Sequence, residues 1–299
     1  MRVILAGGAG TLGGDLVDLL SDRHQFMVID DFQESSVDYE WLTNKVQVLR
    51  ANLANFEAIE KSVVEFKPEA IIYLATTVSL DQQRGFETVV GLKNLLEIGS
   101  RVGRPRVLYI QSFLTRDVSK PVRSDSPMLA RDSYSVWKLA GELLLDSYAG
   151  ESSSIVLSSV ISPRLNVGAI PAFVRRLSDS QPLQVTSTSR DYLQPEDFCS
   201  AIELLLTLPG LPHKTVVGSG KAIKTEQVAL AVAEAMGIDL DLKEITVLEP
   251  KISDPSIVIL DPEEFSEWAH WSPRHSFKDA VKQCVQEIQQ SQRKIRQHH

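Results

Sequence analysis

Tyr134 and Lys138 stand four residues apart in Tyr134-Ser135-Val136-Trp137-Lys138, a spacing that puts both side chains on one helical face, one turn apart. A phenol with an ordinary pKa near ~10 is a poor base at neutral pH, and a neighbouring ammonium stabilises its phenolate. The pair could exchange a proton with a substrate hydroxyl while the lysine also reaches a ribose. Alone the match is common, since most such pairs are a packed aromatic beside a solvated lysine. Its weight comes from Gly7-Gly8-Ala9-Gly10-Thr11-Leu12-Gly13, which follows the apolar run Val3-Ile4-Leu5-Ala6 and precedes a helix-like stretch over residues 15–21. Glycines there let the backbone turn sharply and approach a pyrophosphate resting on free helix N–H groups. A second apolar run, Phe26-Met27-Val28-Ile29, ends in Asp30, at the separation where a carboxylate meets the adenosine ribose hydroxyls. Asp30 and Asp31 have no arginine adjoining them in the sequence. They favour NAD over NADP, whose 2′-phosphate would face like charge.

The elements that must position these groups are legible as alternation. Apolar runs at 3–6, 26–29, 46–49, 70–74 and 107–111 are separated by amphipathic stretches at 15–21, 56–66 and 86–102. This is the pattern of βαβ units and of an α/β fold, a Rossmann-type doubly wound parallel sheet. Ligands bind such sheets at the carboxyl ends of the strands, so the informative residues are Gly7, Asp30, Asn52-Leu53, Ala75-Thr76-Thr77 and Ser112. A loop rich in Pro, Ser and charge spans 115–131, and a helix is expected over 134–148. After Ser162-Pro163 the pattern loosens into helices near 170–178, 195–208, 225–236 and 277–290 and strands near 183–186 and 215–218. We expect residues 1–162 to form the cofactor domain and 163–299 mainly a smaller, mixed α/β substrate lobe interleaved with the last sheet strands.

Bulk properties narrow the partners. A net charge of −8, a pI near 5.3 and no basic cluster argue against a nucleic-acid or anionic-membrane surface and for a small molecule. No apolar run reaches the ~18 residues of a membrane span, and Met1 leads directly into a strand without a signal-like segment. Two distant cysteines, Cys199 and Cys284, suggest neither a disulfide framework nor a metal site, and a reducing cytoplasm is expected. Cys199 reads as a small buried hydrophobe, and His213, His270 and His275 lack metal-like spacing.

With these motifs in place, the chain resembles the extended short-chain dehydrogenase/reductase family, and within it the NAD-dependent nucleotide-sugar epimerase/dehydratase group. Gly7, Gly10 and Gly13 match G-x-x-G-x-x-G, with Thr11 and Leu12 inside the loop, and Asp30-Asp31-Phe32 matches the acidic ribose site. Asn52-Leu53 falls where Asp-Leu or Asp-Ile meets the adenine, and Tyr73-Leu74-Ala75-Thr76 is similar to the His-Leu-Ala-Ala strand end under the cofactor. The segment from Tyr134 and Lys138 to Glu142 resembles the Tyr-Gly-x-x-Lys-x-x-x-Glu helix. Arg190-Asp191-Tyr192 with Glu196-Asp197, the Val217-Gly218-Ser219-Gly220 turn, Lys251 to Asp254 and Trp271-Ser272-Pro273 also find counterparts.

The departures are specific. Where the family's strand ends Ser-Ser-Ser/Thr, this chain reads Gln111-Ser112-Phe113, so phenylalanine falls on the catalytic hydroxyl position, and Ser112 or Thr115 substitutes if the register shifts. The dehydratase signature Thr-Asp-Glu is absent, and Ser159 and Ile161 replace an Asn and a Tyr. The resemblance implies a 4-epimerase working through a transient keto-sugar, with bound NAD, Tyr134 as base, Lys138 lowering its pKa, and Ser159, Arg190 and Lys251 holding a nucleotide-diphosphate sugar. It implies a homodimer, with no metal, nucleic acid or membrane involved. A sugar dehydrogenase or reductase, a UDP-glucuronate decarboxylase and a catalytically silent nucleotide-binding relative are the alternatives.

Overall fold

The computed structural model describes residues 1–77, 81–250 and 254–297, with side chains to 291. Its first half alternates β1 (Arg2–Ala6), α1 (Thr11–Leu20), β2 (Gln25–Asp30), α2 (Tyr39–Thr43), β3 (Gln47–Arg50), α3 (Phe56–Phe66), β4 (Ala70–Tyr73), α4 (Gln82–Arg101), β5 (Arg106–Ser112) and α5 (Ser133–Leu145). A 3-10 turn, Phe113–Thr115, follows β5. Then come β6 (Ser152–Leu157), β7 (Ser159–Val160), α6 (Ala169–Ser178), β8 (Gln184–Thr186), β9 (Ser189–Leu193), α7 (Pro195–Thr207) and β10 (Lys214–Val217). The last elements are β11 (Ala222–Lys224), α8 (Thr225–Ala235), β12 (Thr246–Leu248), α9 (Glu263–Ala269) and α10 (Phe277–Gln297).

The expected doubly wound sheet is present: seven parallel strands in the order β10-β6-β5-β4-β1-β2-β3. β1 and β4 read as unbroken apolar runs because helices cover both faces of the sheet, so alternation has no solvent side to record. On one face α1, α2, α7 and α9 bury Leu16, Leu42, Phe198 and Phe265. On the other, α3, α4 and α5 bury Ile59, Leu95 and Leu145. Ala6 pairs with both Ile29 and Tyr73, which brings the ends of β1, β2 and β4 together.

The second half serves both parts of the molecule. α6, α8, α10 and β8 close a separate core around Phe173, Val185, Val232 and Val281, whereas β10, α7 and α9 return to the large sheet. Small pairings that the sequence did not announce, β11-β9-β7 and β12-β8, are too short to carry a periodic signal. Asn55 accepts from Ala58 N–H to cap α3, and Asp132 caps α5 by accepting from Ser135 N–H, so side-chain oxygens satisfy the free amides at those helix starts.

Candidate active site

α1 begins without a side-chain cap: Gly10 is its N-cap, and no side chain bonds its first amides. Its N-terminus is therefore open to an anion. Gly7 holds φ +76°, and a Cβ there would stand 2.5 Å from Ala75 Cα; a Cβ on Gly13 would stand 2.3 Å from the Gly8 carbonyl oxygen. Only glycine permits this close packing of β1, α1 and the end of β4. The loop opens into a cleft of about 390 Å³, within the usual range for a small-molecule site. Gly7, Gly10, Thr11, Leu12, Gly13, Asp30, Asp31, Asn52, Leu53, Leu74, Ala75 and Thr76 all line it. One cleft thus gathers every expected cofactor residue except Tyr134 and Lys138.

At the cleft's acidic end, Asp30 accepts from Ala9 N–H at 3.0 Å and from Phe32 N–H at 2.8 Å. Burial nevertheless raises its pKa, with these two bonds opposing. No arginine adjoins this pair in the sequence, but the fold supplies one, because α4 carries Arg84 to 3.9 Å from Asp31 and 3.5 Å from Glu34. Thr77 donates to Glu34 at 3.0 Å. The loop after β2 and the start of α4 thus meet across the cleft. Asn52 donates to Glu87 at 3.0 Å and accepts from Ala54 N–H at 2.8 Å, so α4 supplies a carboxylate beside the place where the sequence has lost one. Glu34, Arg84 and Glu87 were not recognisable in the sequence. They come from loops and helix starts with no strand-end signature.

At the end of β5, the hydroxyl of Ser112 lies near the Tyr134 phenol and favours its charged form. Ser112 Oγ also accepts from Leu114 N–H at 3.2 Å, so the proton of its hydroxyl is the part left for other partners. No register shift is needed: β5 ends at Ser112, and Phe113 turns away to pack against the cluster of Val122, Val156 and Val216. Thr115 is fully buried and donates back to the Ser112 carbonyl at 2.6 Å while accepting from Arg116 at 3.0 Å. Of the two candidate hydroxyls, that of Ser112 acts on the Tyr134 phenol, and that of Thr115 is turned to the Ser112 carbonyl.

Lys138 is 4% exposed, donates to the Ile110 carbonyl at 2.8 Å and lies 5.2 Å from the Tyr109 ring centroid. Burial pulls its amine down to about 7. Burial likewise pushes the Tyr134 phenol up, against the Ser112 hydrogen bond. The expectation that the lysine lowers the phenol's pKa is therefore not met in this arrangement. Desolvation disfavours both charged forms, and the ammonium is turned to a carbonyl.

The NAD dependent epimerase/dehydratase family model matches residues 3–218, from β1 to the turn after β10. The chain belongs to this family. Its cofactor is NAD, which fits the uncapped α1 N-terminus and the glycine-lined cleft. Among curated relatives, UDP-glucose 4-epimerase of Mycolicibacterium smegmatis is 26% identical, the match covering 96% of this chain and 98% of that protein. UDP-glucuronic acid decarboxylase 4 of Arabidopsis thaliana is 24% identical over 97% of this chain and 69% of its own length. Among solved structures, the Bordetella bronchiseptica enzyme WbmG in complex with NAD and UDP superposes with a TM-score of 0.91 at 27% identity, over 97% of this chain and 96% of that one. The Thermus thermophilus UDP-glucose 4-epimerase complex with NAD, at 24% identity and a TM-score of 0.85 over 97% of this chain and 99% of that one, shares the fold.

Within this family member, the expected substrate residues are dispersed. Ser159 lies in β7, opposite Tyr192 of β9. Arg190 donates to the Ser189 carbonyl at 3.0 Å and is ion-paired with Asp254. Lys251 lies outside the described residues. Asp191 accepts from Ser219, Gly220 and Leu260 N–H groups, so it anchors a turn. Ile161 is buried in the core of the second half. Both cysteines are buried and free, with thiol pKa values raised by burial. Among the described residues there is no cluster of three metal-binding side chains and no helix long and apolar enough to cross a membrane.

Proposed function

We propose that this protein is an NAD-dependent nucleotide-sugar epimerase, acting at a sugar hydroxyl, by preference at carbon 4. The nearness of Ser112 to Tyr134, one helical turn from Lys138, carries this reading. Tyr134 takes the proton of the sugar hydroxyl as general base and returns it as general acid. Ser112 donates its hydroxyl proton to the same sugar oxygen, which steadies the developing carbonyl. Lys138, one helical turn along α5, offers a donor for a ribose hydroxyl. When bound, NAD supplies the hydride acceptor that makes oxidation of the sugar carbon reversible. After Ser112 the turn reads Phe113-Leu114-Thr115. It holds no carboxylate pair for eliminating water, which favours epimerisation over dehydration.

In this reading Arg190, once released from Asp254, and Lys251 hold the sugar nucleotide's diphosphate, and Ser159 contacts the same region. Residues 1–162 bind NAD, and 163–299 supply most of the sugar site. The cytoplasm, where nucleotide sugars are handled and thiols stay reduced, is the proposed compartment. Phe86 on α4 and Val136 and Leu143 on α5 are 50%, 47% and 59% exposed on packed helices. We assign that face to a homodimer; light scattering should give twice the chain mass, and Leu143→Glu should halve it.

The test is incubation of NAD-loaded protein with UDP-glucose, UDP-glucuronate and dTDP-, GDP- and CDP-glucose, followed by chromatography of the sugars. A 4-epimer formed without net NADH supports the reading. Release of carbon dioxide from UDP-glucuronate would replace it with the decarboxylase, stoichiometric NADH with a dehydrogenase, and no turnover with a binding relative.

A further inference from the structure

Behind the reacting groups lies a buried polar network that the proposed chemistry does not use directly. Gln111, the next-to-last residue of β5, is 2% exposed. Strand alternation directs its side chain to the α5 face, opposite to Ile110 and Ser112. Its Oε1 accepts from Ser112 N–H at 3.0 Å, and its Nε2 donates to the Lys138 carbonyl at 3.0 Å and to Glu142 Oε2 at 2.9 Å. The partners fix the amide's orientation, since a flipped amide would set oxygen against a carbonyl and a carboxylate.

The carboxylate that receives it is itself held on all sides. Arg116 Nη2 donates to both Glu142 oxygens, at 2.8 and 2.7 Å, and Lys214 Nζ stands 3.1 Å from Oε1. Arg116 and Glu142 are 1% and 0% exposed. Burial by itself would raise the Glu142 carboxyl, but Arg116 and Gln111 hold it below its ordinary value. A second tether, Tyr109 Oη donating to the Lys138 carbonyl at 3.0 Å, joins the same two elements.

We propose that Gln111 is a positioning residue for the reaction: its one amide ties Ser112 on β5 to Lys138 on α5, and the Glu142–Arg116 ion pair holds that amide in place. The proposal rests on the reading of Ser112, Tyr134 and Lys138 as the reacting set. Removing the amide leaves the Tyr109 tether in place but frees Ser112 N–H from α5 and unpins the Glu142 side of the network, and displacements on the order of 1 Å between reacting groups can cost about 10²-fold in rate. A buried glutamine that only satisfied its neighbours would affect stability and leave rate and titration behaviour alone.

Gln111→Met keeps the volume and removes every hydrogen bond, whereas Gln111→Glu keeps the acceptor and regains a donor only when protonated. Thermal melts, calorimetric NAD affinity from about pH 5.5 to 9, and kcat and KM for UDP-glucose would be measured on both. For Gln111→Met we expect kcat to fall about tenfold or more with KM within about twofold. The pH midpoint of NAD binding, which reads Lys138, should move away from that of the wild type. For Gln111→Glu the losses should be full near pH 8 and partly reversed near pH 5.5, where a protonated carboxyl accepts and regains one of the amide's two donated bonds. Wild-type kcat and an unshifted NAD profile in Gln111→Met would overturn the proposal even if the melt is lower. If that variant does not fold, a pH-independent ratio of Gln111→Glu to wild type overturns it instead. If the wild type does not turn over UDP-glucose, the epimerase reading is in question, and the NAD profile still decides the role of Gln111.

Discussion

At the scale of single residues the site is a balance between burial and partners. Tyr134 and Lys138 are both pushed by desolvation towards their neutral forms, the phenol up from its ordinary value and the amine down to about 7, which sets their proton affinities further apart than those of free tyrosine and lysine. Tyr134→Phe should lower turnover by about 10²-fold or more, the scale of a lost acid/base group. NAD affinity, measured by calorimetry, should stay within a few fold, and full activity would rule out the phenol as the proton carrier. The acidic pair at the end of β2 gives a second expectation. Asp30 and Asp31 should favour NAD over NADP by about tenfold, ~1.4 kcal/mol, even though Arg84 stands 3.9 Å from Asp31. That guanidinium is already shared with Glu34. Asp30→Ala should narrow the ratio of the two dissociation constants while leaving the melting temperature largely unchanged; equal affinities in the wild type would remove the argument.

At the scale of elements, what matters is that α1 starts where β1 stops. The missing side-chain cap at Gly10 leaves amides for a diphosphate, and the backbone contact of Gly13 with Gly8 lets helix and strand pack closely enough to present them. A methyl at Gly13 would stand 2.3 Å from a backbone oxygen, so the loop must open to admit it. Gly13→Ala should therefore cost roughly 1–3 kcal/mol of stability and at least about tenfold in NAD affinity. Both are read by melts with and without NAD, and an unchanged ligand-induced shift would show that the α1 start does not hold the cofactor. α5 depends on its cap in the same way. Asp132 accepts from Ser135 N–H at 2.8 Å, and this cap orients the turn that carries Tyr134.

At the scale of the whole molecule, the crossing from the large sheet to the second half is pinned at Asp15. This α1 carboxyl, 1% exposed, receives Ser162 at 3.0 Å and Arg164 at 2.9 Å from the connecting loop. Burial outweighs these partners and raises its pKa from 3.8 to about 6. The folded state therefore binds the Asp15 proton more tightly than the unfolded state between those values, and this group's contribution to stability falls as pH rises through pH 4 to 6, by up to about 3 kcal/mol. Asp15→Asn should flatten that part of the stability profile in chemical denaturation, and an unaltered slope would place the titration elsewhere. The cofactor class was legible in the sequence because it depends on local events: a glycine turn, an uncapped helix start and an acid at the next strand end all lie within a stretch of chain short enough to read directly. The sheet was legible because buried parallel strands are apolar on both faces. Which way Ser112, Phe113 and Thr115 face was not, since one residue along a strand end reverses the side chain's face, and the 3-10 turn at Phe113–Thr115 sets their directions. Nor were Arg84 at the acidic pair, the tie from Gln111 to Lys138, or the buried Arg116–Glu142 pair. Each joins residues at least 26 positions apart. Such pairings leave no period or motif in the chain and exist only once the elements have packed.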